Sequence, residues 1–130
     1  MPVWLTEQQA RFIHAELLTE HGGLTGPSRE GALEAALARP RNLLAYSQSP
    51  PTLERLAAAY AFALARGHCF PDGNKRLALA ALDVFLQLNG CELTADEADA
   101  VVTIRALAAG DLDEETLTQW VTANSAPLPR

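Results

Sequence analysis

The stretch His68-Cys69-Phe70-Pro71-Asp72-Gly73-Asn74-Lys75-Arg76 gathers an imidazole, a carboxylate, a glycine, an amide and two cations within nine residues. These are groups suited to moving a phosphate. Imidazole titrates near neutrality and can take the proton of an attacking hydroxyl, so His68 has the chemistry of a general base. Asp72 offers a carboxylate to magnesium, an ion commonly held by one or two carboxylates together with substrate phosphates and water. Gly73 lets an anion come close to the backbone, and Asn74, Lys75 and Arg76 add a donor and two cations to the first turn of the helix that follows. Cations at a helix N-terminus oppose the helix dipole, and a bound polyanion accounts for their presence there. Taken singly, each element has an ordinary explanation: Asp72-Gly73 is a common turn, Asn74 a helix cap, Lys75 and Arg76 surface charges, His68 an incidental loop histidine. Together they describe a phosphate-transfer site.

The elements that must position this segment read as helices. Thr6 with Gln9 makes a capping box, and the helix it opens runs to about Glu20. His21-Gly22-Gly23-Leu24-Thr25-Gly26-Pro27 breaks it, Ser28 offers the next cap, and Pro40 marks the end of a second helix. Residues 41–51 are less regular, with a short helix or a strand both open. Thr52 caps a third helix, which buries Leu53, Leu56, Ala57, Tyr60, Ala61 and Leu64 and ends at Gly67.

From about Asn74 the chain has almost no polar face until Gly90, as expected of the central helix of a bundle. Thr94 with Glu97 forms a second capping box for a helix through about Ala109, closed by Gly110, and Asp113 caps a last helix through Val121. The fold class is therefore all-α, a six-helix bundle. Residues 1–125 read as a single domain, followed by a loose tail over 126–130.

Bulk properties narrow the setting. The chain has 130 residues, 48% of them hydrophobic and 20% charged, as in an ordinary globular domain. Sixteen acidic against ten basic residues give a net charge of -6, which withholds the general attraction to nucleic acid or to anionic membranes. No secretory signal and no membrane span is visible, and Cys69 and Cys91 read as free thiols, so the expected location is cytoplasmic. His14 and His21 read as surface residues. Arg66 fits the C-terminal end of its own helix, with phosphate contact as the alternative. Trp4 and Trp120 read as covers for the core or an interface, and Phe70 as the plug that seats its loop.

The segment from His68 to Arg76 resembles the signature of the Fic/Doc superfamily, and specifically of its Doc (death-on-curing) toxin branch. The AMP-transferring branch typically has glycine between the asparagine and the arginine; here Lys75 stands there, as in Doc proteins. The resemblance extends to His21-Gly22-Gly23-Leu24, to Ala65-Arg66-Gly67 and to the end of the central helix from Phe85-Leu86 to Asn89-Gly90. Two positions depart from the branch: Leu77 replaces a usual threonine, and Gly73 a frequent alanine.

The resemblance implies a compact six-helix core and a toxin of a toxin-antitoxin pair. Such a toxin uses ATP and magnesium to phosphorylate a threonine hydroxyl of elongation factor Tu, and translation stops. It implies His68 as base, Asp72 as magnesium ligand, and Gly73, Asn74, Lys75 and Arg76 as the phosphate cradle, Lys75 and Arg76 also acting on the transferred group. Lysine at position 75 is associated with a nucleotide bound in the reversed sense. A Phd-like antitoxin is the implied partner, and residues 41–51 lie where relatives carry a flap that aligns the target. The alternatives are an AMP transferase acting on a protein hydroxyl and a catalytically silent protein that binds nucleotide or antitoxin.

Overall fold

Short polar side chains cap the starts of four of the helices, and left-handed glycines start the other two. The computed structural model describes residues 1–129. Six helices run in chain order: α1 (Glu7–His21), α2 (Ala32–Tyr46), α3 (Leu53–Arg66), α4 (Asn74–Leu88), α5 (Glu97–Ala109) and α6 (Glu114–Ala123). Two three-residue strands, β1 (Cys91–Leu93) and β2 (Ser125–Pro127), pair antiparallel with Cys91 opposite Pro127. The molecule is an all-α bundle with one small antiparallel ribbon, whose strands flank α5 and α6 in the chain. Among the described residues no helix is long and apolar enough to cross a membrane.

The core forms where α3 lies against α4. From Leu56 to Ala61 every residue of α3 is buried, and four of those six are alanines, which lets neighbouring helices approach closely. α3 touches α2, α4, α5 and α6, while α4 touches α1, α3, α5 and β1, so these two helices share the centre. Leu77, Ala78, Ala81, Leu82, Phe85 and Leu86 are the buried side of α4. Leu77 belongs wholly to this core and is fully enclosed, so the residue that departs from the usual threonine is a packing residue. Phe85 stacks beneath Trp4 and tilts against Tyr60, whose hydroxyl accepts a hydrogen bond from the Leu5 backbone. Trp120 is half-buried, and its ring N-H donates to Asp99, joining α6 to α5.

Four sequence expectations are corrected. α2 does not end before Pro40 but runs through it to Tyr46. A proline ring costs an interior helix roughly 3 kcal/mol. Buried Leu33, Ala36 and Leu37 before it, with Leu43 and Leu44 packed on the core after it, hold the helix together across the break. Nor does Ser28 cap α2: left-handed Gly31 does, and the Ser28 hydroxyl accepts from Arg11.

The capping box at Thr94 is replaced by Asp96, whose carboxylate accepts from the Asp99 backbone. The Thr94 N-H is already committed to the Asn124 carbonyl beside the ribbon. The expected loose tail begins instead in β2, and the Leu128 N-H bonds the Gly90 carbonyl. Arg130, the last tail residue, lies outside the described residues.

Candidate active site

Three segments of chain meet around the start of α4. The first is the run of residues from His68 to Arg76. Asn74 closes it: its side-chain amide accepts from the Phe70 N-H at 3.1 Å and donates to the Phe70 carbonyl at 2.8 Å. The loop between α3 and α4 is thus tied into a ring by one amide. Phe70 is buried, as its expected role of plug requires. Its ring stacks on His14 with centroids 3.7 Å apart.

His14 was expected at the surface and is instead buried in α1. It falls on the same helical stripe as buried Ala10 and half-buried Ile13, close enough in spacing that the pattern alone could have placed it inside.

The second segment is the chain after α1, which is stapled to that loop. The Arg29 backbone N-H donates to the Cys69 carbonyl, and the Arg29 guanidinium donates to the Gly67 carbonyl at 2.6 Å. The Leu24 N-H donates to one oxygen of the Asp72 carboxylate at 3.0 Å, and the Gly73 N-H to the other at 2.9 Å. Gly23 must be glycine for this contact. Its φ is +131°, and a Cβ there would lie 2.9 Å from the Asp72 carboxylate oxygen. The hydrogen bonds from Leu24 and then Gly73, with the nearby charges of Arg76 and Lys75, hold the Asp72 carboxyl below the usual carboxylate range.

α4 itself begins at Gly73, in the left-handed region at φ +79°, with no side chain capping its first turn. The free N-H groups of that turn and the positive end of the dipole therefore face outward. Lys75 and Arg76 are exposed, and among the described residues neither is in an ion pair. His68 is exposed too, with a left-handed backbone at φ 49°, the one positive φ outside glycine among the described residues. Strained backbone of this kind is a frequent mark of functional positions.

The third segment, α5, was legible in the sequence as a helix but not as part of the site. His68, Asp72, Gly73, Asn74, Lys75 and Arg76 all line one cleft of about 600 Å³. Its opposite side is α5, which contributes Glu97, Val101, Ile104, Arg105 and Ala108 at helical spacing, with Leu79 and Ala65 between. His21, at the end of α1, also reaches this cleft. One wall is thus polar and cationic, the other mainly apolar.

Arg66 does not line it. Its guanidinium donates to the carbonyls of Leu107 and Leu112, closing the C-terminal end of α5. Sequence reasoning found the loop because its chemistry is contiguous. It missed the role of α5 because that wall lies some thirty residues downstream and carries no motif.

As a magnesium site the donor set is spare but coherent. Among the described residues no cluster of three or more His, Cys, Asp or Glu side chains exists. An ionised Asp72 beside an uncapped helix start suits a metal that takes one carboxylate and completes its shell with phosphate oxygens and water.

The family model described as Fic/DOC family matches residues 4–86, nearly two thirds of the chain, and includes the whole run from His68 to Arg76. The chain belongs to the Fic/Doc family. It is 36% identical over 89 residues to Protein kinase doc of Escherichia phage P1, an alignment covering 68% of this chain and 70% of that one. It is 47% identical over 66 residues to Toxin Doc of Mycolicibacterium smegmatis (strain ATCC 700084 / mc(2)155), covering 51% of each. Both likenesses fall in the Doc branch, and this Fic/Doc protein belongs with them. The family match stops at residue 86, so the α5 wall of the cleft lies outside it.

Proposed function

We propose that this protein is a Doc-type toxin that transfers the γ-phosphoryl group of ATP to a protein hydroxyl. The observation that carries the reading is the pairing of an uncapped, cationic helix start with an ionised Asp72 at one end of a cleft large enough for a nucleotide. The triphosphate lies along the first turn of α4, where the backbone N-H groups of Asn74 to Arg76 face its oxygens, the Gly73 N-H being held by Asp72. Lys75 and Arg76 neutralise charge that develops as the phosphoryl group moves. Asn74 contributes through its backbone, since its side chain is spent on Phe70. Asp72 would hold magnesium, which would supply further charge neutralisation at the phosphates.

His68, exposed at the mouth, takes the proton of the incoming hydroxyl. The oxygen-phosphorus bond then forms as the bond to the bridging oxygen breaks, and ADP leaves. The acceptor is a threonine hydroxyl of elongation factor Tu, the setting is the cytoplasm, and a Phd-like antitoxin holds the toxin silent. The protein named Protein kinase doc supports phosphoryl transfer, and the protein named Toxin Doc supports the toxic role.

The test supplies purified elongation factor Tu with ATP labelled at either the γ- or the α-phosphate. The expected result is γ-label on a threonine, abolished by His68→Ala. Label from the α-position alone would overturn the reading in favour of AMP transfer.

A further inference from the structure

We infer that His14 is a positioning residue for Asp72: from within α1 it fixes the peptide that presents the metal-binding carboxylate to the cleft. The inference rests on the magnesium-dependent reading above. His14 is buried, 5% exposed. Its Nε2 lies 2.8 Å from the Asp72 carbonyl oxygen, and because a carbonyl can only accept, Nε2 carries the proton and donates. The ring lies flat on Phe70, at an interplanar angle of 14°. It also fills the space beside Gly73, where a Cβ would stand 3.3 Å from Nε2. One imidazole therefore touches the residue after Asp72, the residue two before it, and the peptide of Asp72 itself.

These contacts divide the work of holding the carboxylate. Leu24 and Gly73 donate to its two oxygens, which fixes how the side chain rotates. His14 holds the backbone from which that side chain springs. If packing were its whole purpose, a phenylalanine would fill the same space against Phe70 without burying a polar ring, which costs free energy unless the ring is hydrogen-bonded. The imidazole is needed for the bond to Asp72. Partners that orient a metal ligand in this way typically change metal affinity about 10- to 100-fold when removed.

The experiment titrates magnesium into the ATP-mixed protein by calorimetry, and repeats ATP binding in EDTA, for wild type, His14→Phe and His14→Gln. Phenylalanine keeps the stacking and removes the donor; glutamine returns a donor at similar reach. The expected result is apparent magnesium affinity about tenfold weaker in His14→Phe, with metal-free ATP binding unchanged and most of the loss recovered in His14→Gln. Should the phenylalanine variant not fold, His14→Leu takes its place in the same comparison. Magnesium affinity equal to wild type in the donor-less variant overturns the inference while leaving the proposed function standing. So does a parallel loss of metal-free and metal-dependent binding in both variants, which marks His14 as a packing residue. Absence of magnesium-dependent ATP binding in the wild type overturns both.

Discussion

His68 sits on backbone that an L-residue adopts at a cost of roughly 1–2 kcal/mol, and its side chain is exposed. Nothing in its packing repays that strain, so removing it should stabilise the fold. Asparagine, whose short polar side chain can hydrogen-bond locally, visits left-handed backbone readily. His68→Asn is therefore expected to raise the melting temperature by about 1–3 °C in a thermal melt while transfer activity disappears. A clear drop in melting temperature would show that the imidazole holds structure as well as chemistry.

Asp72 presents a different case. Its hydrogen bonds from Leu24 and Gly73 keep it ionised, so the carboxylate stays charged throughout the neutral range and loses its charge only as pH falls below the ordinary carboxylate range. These residues were legible as a candidate site because they are contiguous in sequence, and the fold brings them to one cleft. His14 was not recognised, since a histidine within a weakly amphipathic helix carries no sign of the carbonyl it will meet in a loop nearly sixty residues away.

Among the elements, α6 is pinned by one carboxylate. Glu114 opens that helix and accepts from both Arg39 of α2 and Arg55 of α3, with only 11% of its side chain exposed. Burial would raise its carboxyl, but the hydrogen bonds from Arg39 and Arg55 outweigh burial and leave it lowered. Because the folded state lowers this pKa, the stabilisation is complete above the ordinary value of 4.5 and fades as pH falls through and below it. Glu114→Gln is expected to cost about 2 kcal/mol at neutral pH by denaturant unfolding, the difference from wild type shrinking as pH drops toward 3. A constant difference across that range would remove the charge pairs from the account.

Helix existence could be read from caps and periodicity, and Thr6, Thr52 and Asp113 do cap α1, α3 and α6 as their positions suggest. Boundaries failed where tertiary packing overrode a local rule. α2 crosses Pro40 because buried Leu33 and Leu37 before it and half-buried Leu43 and Leu44 after it are worth more than one missing hydrogen bond, and Asp96 displaces Thr94 because the ribbon claims the Thr94 backbone.

At the scale of the molecule, the ends of the chain are tied to its middle. β2 pairs with β1, and the Leu128 N-H reaches Gly90 just past the end of α4. Three-residue strands leave too faint a pattern to find in a helical sequence. Truncation after Asn124 removes this ribbon and should lower the melting temperature by about 3–6 °C, corresponding to roughly 1–2 kcal/mol. An unchanged melt would show that the ribbon is ornament to the bundle. The net charge of -6 coexists with a cationic cleft mouth, so retention on a DNA or heparin column near physiological salt is not expected, although ATP should still bind.

The far wall of the cleft has a consequence for synthesis. The whole run from His68 to Arg76 has been made once Arg76 is joined, yet the surface facing it is supplied by α5, ending at Ala109. A ribosome partway through this message thus carries the reactive segment without its enclosure. The cleft closes only after more than thirty further residues have been added and folded back against the start of α4.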